Sequence, residues 1–154
     1  MELVPVYAIS PYFTGSTIDE AVPTSKIPLK MEDTTMMEDT TMMKEKIQTY
    51  SGTFVGVGDG IHDAQGIART ISLDNGDNVL RLENFKATNG PDLYVYLATD
   101  DKASEFINLG KLKANNGNQN YNIPENTDLE KYGQVLIWCK AFGVLFGNAD
   151  LSLQ

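Results

Sequence analysis

The stretch Ile67-Ala68-Arg69-Thr70-Ile71-Ser72-Leu73-Asp74-Asn75-Gly76-Asp77-Asn78-Val79-Leu80-Arg81-Leu82 decides how this chain folds. Ile67, Arg69, Ile71 and Leu73 alternate with Ala68, Thr70 and Ser72. That is a period of two, the repeat of a strand and not of a helix. Asn75-Gly76-Asp77 is a strong turn signal, and Val79-Leu80-Arg81-Leu82 opens a second strand. The stretch therefore reads as a β-hairpin.

Working outward, the same period recurs. Leu93, Val95 and Leu97 fall on one side of a strand, with Tyr94 and Tyr96 on the other. Asn116-Gly117 predicts a second hairpin, between 109–113 and 119–123. Gln134-Val135-Leu136-Ile137-Trp138-Cys139-Lys140-Ala141-Phe142 is the most apolar strand, and 144–153 returns beside it. Residues 128–132 predict one helical turn. Short strands at close intervals, with no long amphipathic helix, predict an all-β fold, an antiparallel β-sandwich or barrel over 51–154.

Residues 1–50 differ in kind and predict a largely irregular N-terminal tail and linker. Met31-Glu32-Asp33-Thr34-Thr35-Met36 is repeated at once as Met37-Glu38-Asp39-Thr40-Thr41-Met42, followed by Met43. Two six-residue copies are too short for a solenoid, and their composition is that of a spacer. Five methionines in 13 residues also offer soft thioether ligands to copper(I). Further upstream, 3–13 is unusually apolar. It is compatible with the outer end of a removed membrane anchor, or with a segment that adds a strand to a neighbour.

The formal charge of −9 removes nucleic acid from the partners, since no basic stripe exists to neutralise phosphates. It also disfavours an anionic lipid surface. No run reaches the length of a membrane span, and no signal peptide is visible.

Cys139 and Trp138 are the only residues of their types and adjoin on a predicted strand. A single thiol forms no intramolecular disulfide. Cys139 is thus a core residue, a reactive redox group, a metal or haem ligand, or a contact with another chain. In a regular strand it shares a face with Val135, Ile137 and Ala141, while Leu136, Trp138, Lys140 and Phe142 take the other. His62, the only histidine, sits in the Gly-rich connection of residues 56–66, where it can ligate metal or haem or move protons. Asp59, His62 and Asp63 are candidate metal ligands. Asp74, Asn75, Asp77 and Asn78 offer oxygen to calcium without the spacing of a calcium loop. One Cys and one His do not fill a structural zinc site. No phosphate-binding Gly-Lys-Ser/Thr ending and no Gly-X-Ser-X-Gly occur, so neither a nucleotide enzyme nor a serine hydrolase is indicated.

These residues together resemble a known family. Ser51-Gly52-Thr53-Phe54, His62 with Gly66, Leu80-Arg81-Leu82-Glu83-Asn84-Phe85 and Asn89-Gly90-Pro91-Asp92-Leu93-Tyr94-Val95-Tyr96-Leu97 look like the DM-thirteen domain. So do Leu109-Gly110-Lys111-Leu112, Asn120-Tyr121-Asn122-Ile123-Pro124, Tyr132, Ile137-Trp138-Cys139 and the ending from Phe142 to Leu151. The resemblance spans 51–154 in order and leaves out the methionine repeat. It implies an all-β extracytoplasmic module, often beside DOMON or cytochrome domains, that serves electron transfer and is membrane-anchored. It makes Cys139 the candidate redox centre and His62 the family's loop histidine. Apart from the resemblance, His62, Cys139 and Trp138 are the candidate cofactor-binding residues. Thr17-Ile18-Asp19-Glu20-Ala21-Val22-Pro23 looks like the stretch that follows such an anchor.

Three functions follow as expectations. The first is electron transfer through Cys139, with a redox partner protein or cell-surface component and with haem or copper as possible cofactors. A solitary thiol needs such help, because a disulfide requires a second sulfur. The second is a non-catalytic cell-surface binding or adhesion module that uses Trp138, Tyr94, Tyr96, Tyr121 and Tyr132. The third is a copper-handling protein built on the methionine repeat with His62 and Cys139. A turnover enzyme is not the expectation.

Overall fold

The computed structural model describes residues 16–23 and 48–154. Its strands are β1 (Thr17–Asp19), β2 (Tyr50–Gly56), β3 (Ala64–Ser72), β4 (Asn78–Ala87), β5 (Leu93–Ala98), β6 (Phe106–Lys111), β7 (Asn116–Ile123), β8 (Gln134–Cys139), β9 (Val144–Asp150) and β10 (Ser152–Leu153). The described residues contain no helix. Nine strands follow the order β1-β7-β4-β3-β2-β9-β8-β5-β6 in one sheet, and β10 pairs with β2 off that path. The sheet curls into a half-barrel, and the all-β expectation holds.

β2 makes the corner. Ser51 to Thr53 pair with β3, and Phe54 to Gly56 pair with β9. A strand that changes partner midway turns the sheet onto itself, and the concave side becomes the core. Phe54, Leu80, Leu82, Phe85, Leu93, Val95, Leu97, Val135, Ile137, Cys139 and Phe146 fill it. Each large apolar side chain removed from water there contributes about 1.5–3 kcal/mol.

The 67–82 hairpin is present. Ser72 faces Asn78 in register, and the Leu73 amide donates to the Asp77 carbonyl (2.8 Å). The small side of β3 turns inward: Ala68 is fully buried and Ile67 is 37% exposed. Opposite that inward side stand Leu80 and Leu82 of β4, which fill the space and leave room only for small side chains. Gly66 marks a bulge between Gln65 and Ile67, at φ +118. A Cβ there would press on the backbone of Glu83 and Phe85, so glycine lets β3 lie against β4.

The second hairpin is corrected. β6 pairs with β5, whereas β7 pairs with β4 and β1. Asn116 and Gly117 are strand residues and not a turn. Gly117 uses its positive φ of +107 to admit the Ile18 carbonyl of β1, where any Cβ would collide. The single turn expected over 128–132 is there: the Tyr132 amide donates to the Asp128 carbonyl (2.9 Å), and the Asp128 carboxylate accepts from the Glu130 amide.

Within the segment assigned to the tail, Thr17–Asp19 adds a parallel strand to β7. The apolar stretch 3–13 and the methionine repeat lie outside the described residues.

Candidate functional site

β8 separates its residues by side, and the separation sets what each can do. Val135, Ile137 and Cys139 point into the core, and Cys139 is 1% exposed. Leu136 and Trp138 point to the convex side. Ala141, expected beside Cys139, lies in the turn after the strand and is exposed. Lys140 stays clear of the thiol, with Nζ 5.4 Å from the Tyr94 ring centre on the convex side.

That convex side carries an aromatic stack. Tyr94 lies directly opposite Trp138, and Ala98 opposite Phe106, in the register of β5 with its neighbours. Period two then brings Tyr96 between them. Its ring lies 4.1 Å from Phe106, nearly parallel at 8°, and 6.2 Å from Trp138 at 24°. Tyr94 follows at 6.4 Å from Tyr96, and Lys111 Nζ stands 5.9 Å from the Tyr94 ring. Tyr96 is covered, Tyr94 and Trp138 are half-buried, and Phe106 is 43% exposed. Burial, then the neighbouring Tyr94 and Asp92, push the Tyr96 hydroxyl above its ordinary pKa and keep it neutral. Flat rings with lysines at the margin suit a docking partner with an apolar or π face and some negative charge.

Sequence reasoning grouped five aromatics, and the structure brings three together. Tyr121 lies in the core, where its hydroxyl accepts from the Lys113 amide (2.8 Å) and donates to Gln119 Oε1 (2.5 Å). The Tyr132 hydroxyl donates to Glu105 (2.7 Å), away from the stack. Phe106 was missed. Its place is set by the pairing of β6 with β5, which the false β6–β7 hairpin concealed.

The Gly-rich loop carries the other candidates. Asp59 folds it locally: its carboxylate accepts from the amides of Ile61 (2.8 Å) and His62 (2.7 Å) and from His62 Nδ1 (2.5 Å). The His62 amide, then its ring, hold the Asp59 carboxyl down to about 2. With that carboxylate ionised, Nδ1 carries the hydrogen. The ring rests on Phe146, centre to centre 4.5 Å, and so touches the core that also holds Cys139. The Asp63 carboxylate accepts from Gln65 Nε2 (3.4 Å), and its carbonyl from the Thr88 amide (3.0 Å).

Among the described residues no three His, Cys, Asp or Glu side chains converge to hold a metal, so Asp59, His62 and Asp63 do not form such a set. Cys139 is packed among aliphatic and aromatic side chains of the core. A cleft of about 500 Å³ lies elsewhere, lined by Tyr50, Ser72, Asn78 and Asp128. No helix of the described residues is long and apolar enough to cross a membrane.

No curated protein and no solved structure matches this chain. Residues 53–151 do match the family described as Electron transfer DM13, which is most of the chain and the whole span from the β2 corner through β9. By that match the chain belongs to the DM13 electron-transfer family.

Proposed function

We propose that this domain carries electrons on the extracytoplasmic side of a membrane, tethered through the residues ahead of β2, with Cys139 as its redox group. Its redox partner, or a cell-surface component, docks on the face of Tyr94, Tyr96, Phe106 and Trp138. One observation carries the reading: the buried Cys139 adjoins Trp138, whose ring stands in the half-open aromatic stack.

Burial narrows the chemistry. A thiol 1% exposed cannot meet a second sulfur or a peroxide, so disulfide exchange and sulfenic acid are closed to it in the folded state. One-electron exchange remains. The thiol gives one electron to a strongly oxidising haem or copper centre of the partner, passes its proton to water at the exposed turn that follows β8, and becomes a thiyl radical; reduction returns the electron and the proton. Val135, Ile137 and Phe146 keep the radical from other sulfurs. The family supports the electron-transfer role. The extracytoplasmic, tethered setting is supported by the resemblance of the segment before β2 to one that follows an anchor.

The test is one-electron chemical oxidation of the parent and of Cys139→Ala, with matched circular dichroism and radical detection by paramagnetic resonance. A signal lost in the variant supports the cysteine. Equal signals and equal electron loss to the oxidant in both remove it.

A second reading has its own observation: a shielded thiol beside an open aromatic face is what a non-catalytic binding module displays. Cys139→Ala separates the two: a binding module keeps its surface binding and loses nothing else, whereas the electron carrier keeps its docking and loses electron transfer to the docked partner. Copper handling by the methionine repeat is checked by copper(I) titration of the chain with and without 31–43; unchanged affinity dismisses it.

A further inference from the structure

The β1–β7 pairing is better built than a chance contact of a tail. Three register pairs join the strands, Thr17 with Asn116, Ile18 with Gly117 and Asp19 with Asn118. The Asn116 amide donates to the Ser16 carbonyl (3.0 Å), and the Glu20 amide to the Asn118 carbonyl (2.8 Å). Asn118 Nδ2 donates to Asp19 (2.7 Å), and Asn120 Nδ2 to the Ala21 carbonyl (3.0 Å). The Glu20 carboxylate accepts from the Asn120 amide (2.7 Å) and from Lys113 Nζ (3.0 Å).

The acceptor side is made for this strand. At position 117 the Ile18 carbonyl tolerates glycine alone, since any Cβ would meet it. Arg81 is 4% exposed and donates through Nη1 to the Glu20 carbonyl (3.0 Å). Without β1 that buried donor loses a partner, which lowers the stability of the folded domain itself. The site therefore selects an extended segment with an acid at the Glu20 position. The family match begins at residue 53, so this strand lies outside it.

Residues 24–47 connect Pro23 to Gln48, 24 residues with a fully extended reach of about 80 Å. That reach serves the chain's own β7 or that of a neighbour. We propose that the edge of β7 that β1 occupies is a strand-acceptor site, and that at high concentration the residue 16–23 segment of a second copy replaces the chain's own and fills it in trans, so that copies of this chain join by strand exchange. The contacts are the same in cis and in trans, so only concentration decides between them. The cis segment acts at an effective concentration on the order of 1 mM, which sets the crossover.

The test uses the full chain carrying Asp19→Cys and Asn118→Cys, refolded and oxidised at about 10 µM and at about 1 mM. These register partners lie about 4.8 Å apart, within the range a disulfide spans. In cis the bond gives a cross-linked monomer. In trans it gives a covalent dimer, in which peptide mass identifies a disulfide between positions 19 and 118. The expected result is a dimer share that rises more than tenfold between the two concentrations. A monomer at both concentrations, or no cross-link at either, overturns the proposal. An independent arm needs no cysteine. Isotope-labelled and unlabelled parent chains are refolded together at about 1 mM and weighed by native mass spectrometry. A mixed dimer that Gly117→Val abolishes is expected. Its absence in the parent, or its persistence in Gly117→Val, overturns the proposal as well.

Discussion

The β5–β8 half of the sheet and the β4–β7–β1 half are held by different forces. In the first, side chains alternate between a dry interior of Leu93, Val95, Leu97, Val135, Ile137 and Cys139 and a convex aromatic face. In the second, the outward side is a polar lattice. Arg69 and Arg81 both reach Glu83 (2.8 Å each), Arg81 also reaches Glu20, and Lys113, Asn118 and Asn120 bind β1. Apolar burial is non-directional and indifferent to pH; a lattice of ions and amides is neither, and salt screens its charges. The difference assigns tasks. The apolar half isolates a thiol and displays rings, and the polar half fixes which segment can add to its edge.

The comparison breaks first at its strongest point. Ile137→Ala empties a fully buried site beside Cys139 and is expected to lower stability by about 2–5 kcal/mol in urea unfolding. The loss should be the same at neutral and at acidic pH. Arg81→Met keeps the bulk of the side chain but leaves Glu83 to Arg69 alone and takes the donor from the Glu20 carbonyl. Glu83 is partly open to solvent, so the expected loss is smaller, about 1–3 kcal/mol, and it should shrink in acid. If the two variants lose equal stability with the same pH dependence, the two halves do not differ as described. Cys139→Ala removes only a small buried atom and is expected to cost about 1 kcal/mol. The parent thiol should resist alkylation until the chain unfolds, whereas labelling in the native state would show that β8 opens.

These two halves were not equally legible. Period two in Leu93 to Leu97 and Val135 to Cys139 placed each side chain on its correct face, because apolar alternation admits one arrangement against a core. The β3 strand was legible as a strand, yet alternation did not say that Ala68 and not Ile67 would face inward; the bulk of Leu80 and Leu82 across the register settles that. β7, Asn-Gly-Asn-Gln-Asn-Tyr-Asn-Ile, carries almost no apolar signal, and its Asn-Gly is also the commonest turn dipeptide. The local signal won in the reading, and the long-range pairing with β1 and β4 won in the fold. Phe106 and the Glu20 anchor share that cause: each depends on a partner strand distant in sequence. His62 and Asp59 were legible as neighbours, since they stand three residues apart, but the packing of His62 on Phe146 was not.

The smallest effect is the pH dependence of the polar half, and its sign is fixed. The Arg69 hydrogen bond, against partial burial and together with Arg81, holds the Glu83 carboxyl below its ordinary pKa. Burial works against the charge of Glu20 as well, but the Asn120 amide and the Lys113 ammonium outweigh it and lower that pKa too. A carboxyl lowered in the folded state adds stability above its unfolded pKa of about 4.3, and loses it as pH falls through the folded value. The parent should therefore lose stability below about pH 4, by about 1 kcal/mol or less for each of these partly exposed groups. Glu83→Gln and Glu20→Gln should each flatten the acid limb of urea midpoints measured against pH. Ile137→Ala should shift the whole curve without changing that limb. Equal acid limbs in the parent and both Gln variants would mean that the lattice around β7 holds by shape and hydrogen bonds alone, and that charge does not choose the strand added to its edge.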